Sequence, residues 1–168
     1  MTGRTGDEES AVVEQQEASE DAVMTRIGQA IMLLHGGDRE EARNRFGALW
    51  SELGADGDAL HRCTLAHYMA DTQDDPGDEL AWDLRALTAA EGASDGRAAE
   101  HRDLPAVRAF YPSLHLNLAA DYLKLQRPDS ARIHLRRARA AAESLADDGY
   151  GGGVRAAIDR LELRLREQ

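Results

Sequence analysis

Three residues near the middle of the chain have side chains that nucleophilic chemistry uses: Cys63, His67 and Asp71. Steps of four stack them on one face of a helix. A thiol becomes a nucleophile when an imidazole takes its proton and a carboxylate orients the imidazole, so the residue types suit such a relay. The spacing does not: successive turns hold Cβ atoms about 5 to 6 Å apart along one line, whereas triads converge from different elements. The three therefore read as the lining of a helix face, with Cys63 acting as a small apolar residue. An alternative draws on a later segment. Cys63 and His67 with His115 would offer one sulfur and two nitrogens, a donor set for a small molecule or a metal ion in a sensory or catalytic protein. No Gly-rich phosphate loop, H-E-x-x-H, G-x-S-x-G or paired-cysteine zinc spacing occurs, so the expectation is a protein that is not an enzyme and carries no cofactor.

The elements that would position these residues are helices. Leu114, Leu118 and Tyr122 recur at helical spacing, Arg127, Pro128 and Asp129 interrupt them, and Ala131, Leu135 and Ala138 resume the period, which predicts an antiparallel hairpin over 109–146. Small Ala119, Ala131 and Ala138 allow two helix backbones to pass closely. An apolar stripe at Val23, Ile27, Ala30, Ile31 and Leu34 starts after Asp21, stops at Gly36 and Gly37, and is followed by a second helix to Leu53; this is a hairpin over 21–53. A third pair, over 58–90, turns at Pro76 and Gly77. Residues 91–108 are polar and broken by Gly92, Gly96 and Pro105, which predicts an insertion loop. DDGYGGG at 147–153 reads as a hinge. Val154, Ile158, Leu161 and Leu165 then define a last amphipathic helix over 154–167 that would cap the array. The acidic residues 1–20 read as a disordered tail. The fold class is all-α, with seven helices and no sheet.

The hairpin over 109–146 resembles a tetratricopeptide repeat (TPR), a helix pair of about 34 residues with the pattern W-x2-L-G-x2-Y…A-x3-F…A…P. Leu118, Ala119, Tyr122, Ala131, Leu135 and Ala138 occupy six signature places, while His115 stands for the Trp and Glu143 for the Pro. Ala42 and Phe46 match A-x3-F in the first pair, with Gly37 at the turn; the middle pair is degenerate, with Arg85 where an aromatic is expected. The resemblance implies a right-handed superhelix whose concave groove is lined by the first helix of each pair. Carried over, the groove residues are Ile27, Ile31 and Leu34 as an apolar end, and Cys63, His67, Asp71, Leu116, Asn117 and Lys124 further along. Asn117 matches an Asn that hydrogen-bonds ligand backbone in peptide-binding members. A clamp for a terminal carboxylate is missing, since Ile27, Ile31, Thr64 and Ser113 replace most of its polar residues.

Composition limits the partners. With 31 acidic and 20 basic residues the net charge is −11, which argues against nucleic acid or an anionic membrane. Arg132, Arg136 and Arg139 share a helix face, but Asp129, Glu143 and Asp147 lie close, so this reads as a salt-bridged surface. Residues 1–20 lack the apolar core of a signal peptide and no run approaches the roughly 18 residues of a membrane span, so the expected location is the cytoplasm. The functional expectation is an interaction module that binds a peptide or protein segment. Three repeats are near the minimum for a stable array, which keeps a homodimer in view.

Overall fold

The computed structural model describes residues 5–94 and 104–168, and these form seven α-helices and no strand. The helices are α1 (Thr5–His35), α2 (Arg39–Leu53), α3 (Ala59–Ala70), α4 (Pro76–Ser94), α5 (Leu104–Lys124), α6 (Pro128–Ala142) and α7 (Gly149–Arg166). They pack in sequence as pairs, α1 on α2, α3 on α4 and α5 on α6. The first helices of successive pairs also touch, α1 with α3, α3 with α5 and α5 with α7. Each of three apolar clusters spans three consecutive helices: Ile27, Phe46 and Leu65 join α1 to α3, Cys63, Leu87 and Leu118 join α3 to α5, and Leu123, Leu135 and Ile158 join α5 to α7. Each pair therefore shares an apolar layer with the next, and no pair buries its own face alone. No helix among the described residues is long and apolar enough to cross a membrane.

Two of the turns use one device. Beyond α1, Gly37 adopts φ 93° and the amides of Gly37 and Asp38 donate to the carbonyls of Leu34 and Leu33. Beyond α5, Gln126 adopts φ 58° and the amides of Gln126 and Arg127 donate to Leu123 and Tyr122. Both are Schellman closures, with a left-handed residue at the turn. The side chain of Asp38 then caps α2 and Pro128 opens α6, at a position where a missing N–H is harmless.

Several expected boundaries move. α1 begins at Thr5 and passes through Asp21 without a break, so no cap lies there and the segment read as a disordered tail is helical from residue 5; residues 1–4 lie outside the described residues. Residues 8–19 are exposed, and their Glu, Gln and Ala content favours a solvated helix. The expected loop over 91–108 shrinks from both sides because α4 runs to Ser94 and α5 begins at Leu104; residues 95–103 lie outside the described residues. Pro105 is tolerated in a first turn, and fully buried Val107 anchors this end of α5. The glycine-rich stretch is no hinge but the first turn of α7. Asp148 accepts from the Gly151 amide, and Tyr150 reaches α5, with its hydroxyl 2.6 Å from Ser113 Oγ and donating to the Ala109 carbonyl. Arg155 ties the same turn to the carbonyls of Ala142 and Leu145 at the end of α6.

Candidate functional site

The side chains with unspent polar chemistry lie where α3, α4 and α5 meet. On α4, Asp83 follows Leu80 and precedes Leu87 and Ala90 in phase with the apolar stripe, and packing carries its carboxyl inward to 1% exposure. On α5, Asp121 continues the stripe of Leu114 and Leu118 and is also 1% exposed. The two carboxyls meet within hydrogen-bonding range, and Asn117 reaches Asp83 as well. Glu79, one turn before Asp83, touches Asp121 on its other side. Lys124 Nζ donates to both oxygens of Glu79 at 2.8 Å. The result is a polar row, Asn117, Asp83, Asp121, Glu79 and Lys124, with the two buried acids in its middle and more accessible groups at both ends.

His67 of α3 stands at the Asn117 end. Its Nδ1 lies 3.5 Å from Asn117 Nδ2 and 4.0 Å from Asp83 Oδ1, and its ring packs edge-on against Tyr68 and Phe110. Burial pushes the imidazole down to about 4, so at neutral pH its unprotonated nitrogen is free to accept from Asn117. Burial, reinforced by the mutual hydrogen bond and charge, pushes Asp83 far above the usual carboxylate range, and burial also raises Asp121. Close approach of His67 and Asp83 is therefore a contact of neutral groups, not an ion pair. One carboxyl of the Asp83–Asp121 pair keeps its proton because two charges cannot share a buried site.

Among the described residues, Glu79, Asp83 and Asp121 are the group of three whose ligand atoms converge, all within 4.8 Å of one another. The trio Cys63, His67 and His115 does not assemble. Cys63 is fully buried among apolar residues and its thiol is pushed up to about 12 by burial, which removes the thiolate that a nucleophile or metal ligand needs. His115 faces α6 instead. It stacks between Tyr111 and His134, with 3.1 Å between the two Nδ1 atoms, and burial, then His134 and Arg137, lowers its ring to about 4.

The remaining groove residues separate. Ile27 has no exposed surface and is core, as is Cys63; the helix faces carried over for them point into the α1–α2–α3 and α3–α4–α5 layers. Ile31 and Leu34 are half-buried against the first of these layers. Asp71 is exposed at the end of α3, close enough to Glu79 and Lys124 for their charges to interact. Leu116 lies away from His67, in an apolar notch of about 260 Å³ with Ala120, Ala157 and Leu161, rimmed by Arg160 and Arg164. His67, Asn117 and Lys124 do join the polar row. Glu79, Asp83 and Asp121 were missed from the sequence, although their signal was present: acidic residues in phase with apolar stripes, at Asp83 after Leu80 and at Asp121 after Leu114 and Leu118.

Elsewhere, Trp82 packs into two core layers at 5.2 Å from Trp50, and Arg85, where an aromatic was expected, lies over its ring. Arg132 pairs with Asp129 as expected for that stripe, whereas Arg139 pairs with Asp159 and Glu162 of α7 and not with Glu143 or Asp147. No family model, no curated protein and no solved structure matches the chain, so the functional reading rests on these residues.

Proposed function

We propose that the chain is a TPR-like interaction module that holds a peptide or protein segment along the face formed by α1, α3, α5 and α7. The contact order of the helices, pair by pair and first helix to first helix, supports the TPR-like arrangement. The observation that carries the binding reading is the contact of His67 and Asn117, half-buried polar side chains from successive first helices, 3.5 Å apart. Such a pair adds little to folding, because a long contact between neutral groups is weak and both side chains lose solvent. It retains hydrogen-bonding capacity suited to an extended backbone. Phe110 and Tyr68 border it with aromatic surface, and the notch at Leu116 and Leu161 takes an apolar side chain. The net charge of −11 and the acidic row favour a segment with basic residues.

The test is retention of a partner from a lysate of the native organism by the wild type and by a folded His67→Ala, Asn117→Ala double variant. Loss of one protein from the variant supports the groove; equal retention by both, or by neither, defeats it. Size-exclusion chromatography at two concentrations separates a monomeric module from a homodimer.

A further inference from the structure

We infer that Glu79, Asp83 and Asp121 form a binding site for a single divalent cation, set between α4 and α5 and covered by Lys124 in the metal-free protein. The inference is independent of what the groove binds. Three observations converge on it. The ligand oxygens lie within 4.8 Å of one another, the span available around one ion whose oxygen ligands sit at about 2.0 to 2.6 Å. Asp83 Oδ1 and Asp121 Oδ2 are the two buried side-chain atoms that no donor among the described residues satisfies, apart from a proton the two carboxyls share, and both belong to side chains that are 1% exposed. Two acids at apolar positions weaken a fold unless something occupies them, because hydrophobic residues of similar volume pack there at no electrostatic cost.

The surroundings fit a cation better than another hydrogen-bond donor. Facing the oxygens are His67 and Asp71 from α3, Glu79 and Asp83 from α4, and Asn117, Asp121 and Lys124 from α5. The single positive charge among them, Lys124, contacts only the outermost carboxylate, Glu79, at 2.8 Å. The Lys124 side chain is 48% exposed and that of Glu79 21%, so displacing Lys124 toward solvent would open a path inward. The donors are three carboxylates with an imidazole beside Asp83, a set for a hard ion such as Mn2+, Mg2+ or Ca2+. His67 and Asn117 then act on the ligands as orienting neighbours.

The experiment uses the full chain after chelator treatment and dialysis, with Mn2+ as the probe. Free Mn2+ is followed by electron paramagnetic resonance. The expected result is one saturable Mn2+ per chain below about 1 mM, with competition by Ca2+ or Mg2+. Asp83→Asn and Asp121→Asn, each checked for folding by circular dichroism, should weaken binding at least about tenfold, the cost of one lost carboxylate ligand. Lys124→Gln should bind as tightly or more so. A wild type that is folded yet takes up no Mn2+ overturns the inference. So does uptake that both Asn variants leave unchanged, which would assign the ion to surface carboxylates.

Discussion

Raising the pH from 7 to 8.5 should weaken the metal-free wild type more than Asp83→Asn. Burial raises the Asp83 and Asp121 carboxyls in the folded chain, whereas in the unfolded chain both return to about 3.9 and are ionised throughout this range. The folded state thus holds about one proton that the unfolded state lacks. For an acid whose folded value is raised, that contribution is complete below the unfolded value and is lost as pH climbs toward the folded one. The slope is about 1.4 kcal/mol per pH unit for one proton, or about 2 kcal/mol over the interval. The window avoids other groups: the ordinary histidine value of about 6.5 lies below it and the ordinary thiol value of about 8.5 at its upper edge. The terminal amine titrates inside it in both chains and cancels in the difference. In Asp83→Asn an amide replaces the protonated carboxyl at nearly the same volume, so the share of the slope due to Asp83 disappears and only that of Asp121 remains. The assay is urea unfolding followed by circular dichroism at several pH values, with chelator present and constant ionic strength. A wild-type midpoint that stays level, or a variant that keeps the wild-type slope, would refute the buried shared proton.

On the acid side the sign reverses for the histidines. His67 and His115 are both lowered to about 4 by burial, so their contribution is present above about 6.5 and is lost as pH falls toward 4, at up to about 1.4 kcal/mol per unit for each; replacing His115 by Gln should remove its share, seen as a shallower acid decline than in wild type. Gln126→Gly should stabilise by about 0.5 to 1 kcal/mol in thermal unfolding, because φ 58° strains a residue with a Cβ and not glycine. Gly151→Ala should destabilise by about 1 to 3 kcal/mol, since its Cβ would collide with the Ala146 carbonyl, while Gly153→Ala, with open space around it, should stabilise by about 0.5 to 1 kcal/mol. Phe46→Ala, at a side chain with no exposed surface, should cost about 3 to 5 kcal/mol in denaturant unfolding.

Helix periods and turn residues carried most of the architecture. Gly36 and Gly37, Pro76 and Pro128 stand at the ends of the real helices, and Val154, Ile158, Leu161 and Leu165 are the buried stripe of α7. Where the reading failed, local signals were outvoted by contacts distant in sequence. DDGYGGG looks like a hinge by composition, yet Tyr150 bonded to Ser113 and Ala109, and Arg155 bonded to the end of α6, hold it as helix. The start of α5 depends on Val107 entering a layer with Cys63 and Leu87, a contact that a polar, proline-containing segment does not announce.

The site was half legible. The tetratricopeptide resemblance carried its groove places over to this chain, so His67, Asn117 and Lys124 were expected as polar members of first helices. How deep a face sits is a different question: Ile27 and Cys63 share those helices but are enclosed by neighbours. The sequence by itself determined seven amphipathic segments, their pairing through short turns and the acidic balance, because these follow from the local period and from charge. Only the tertiary structure decided that Asp83 and Asp121 meet, since they lie on different helices far apart in the chain and acquire shifted protonation through burial and each other. An isolated helix places a carboxylate in water; the packing of α3, α4 and α5 places two of them together without it.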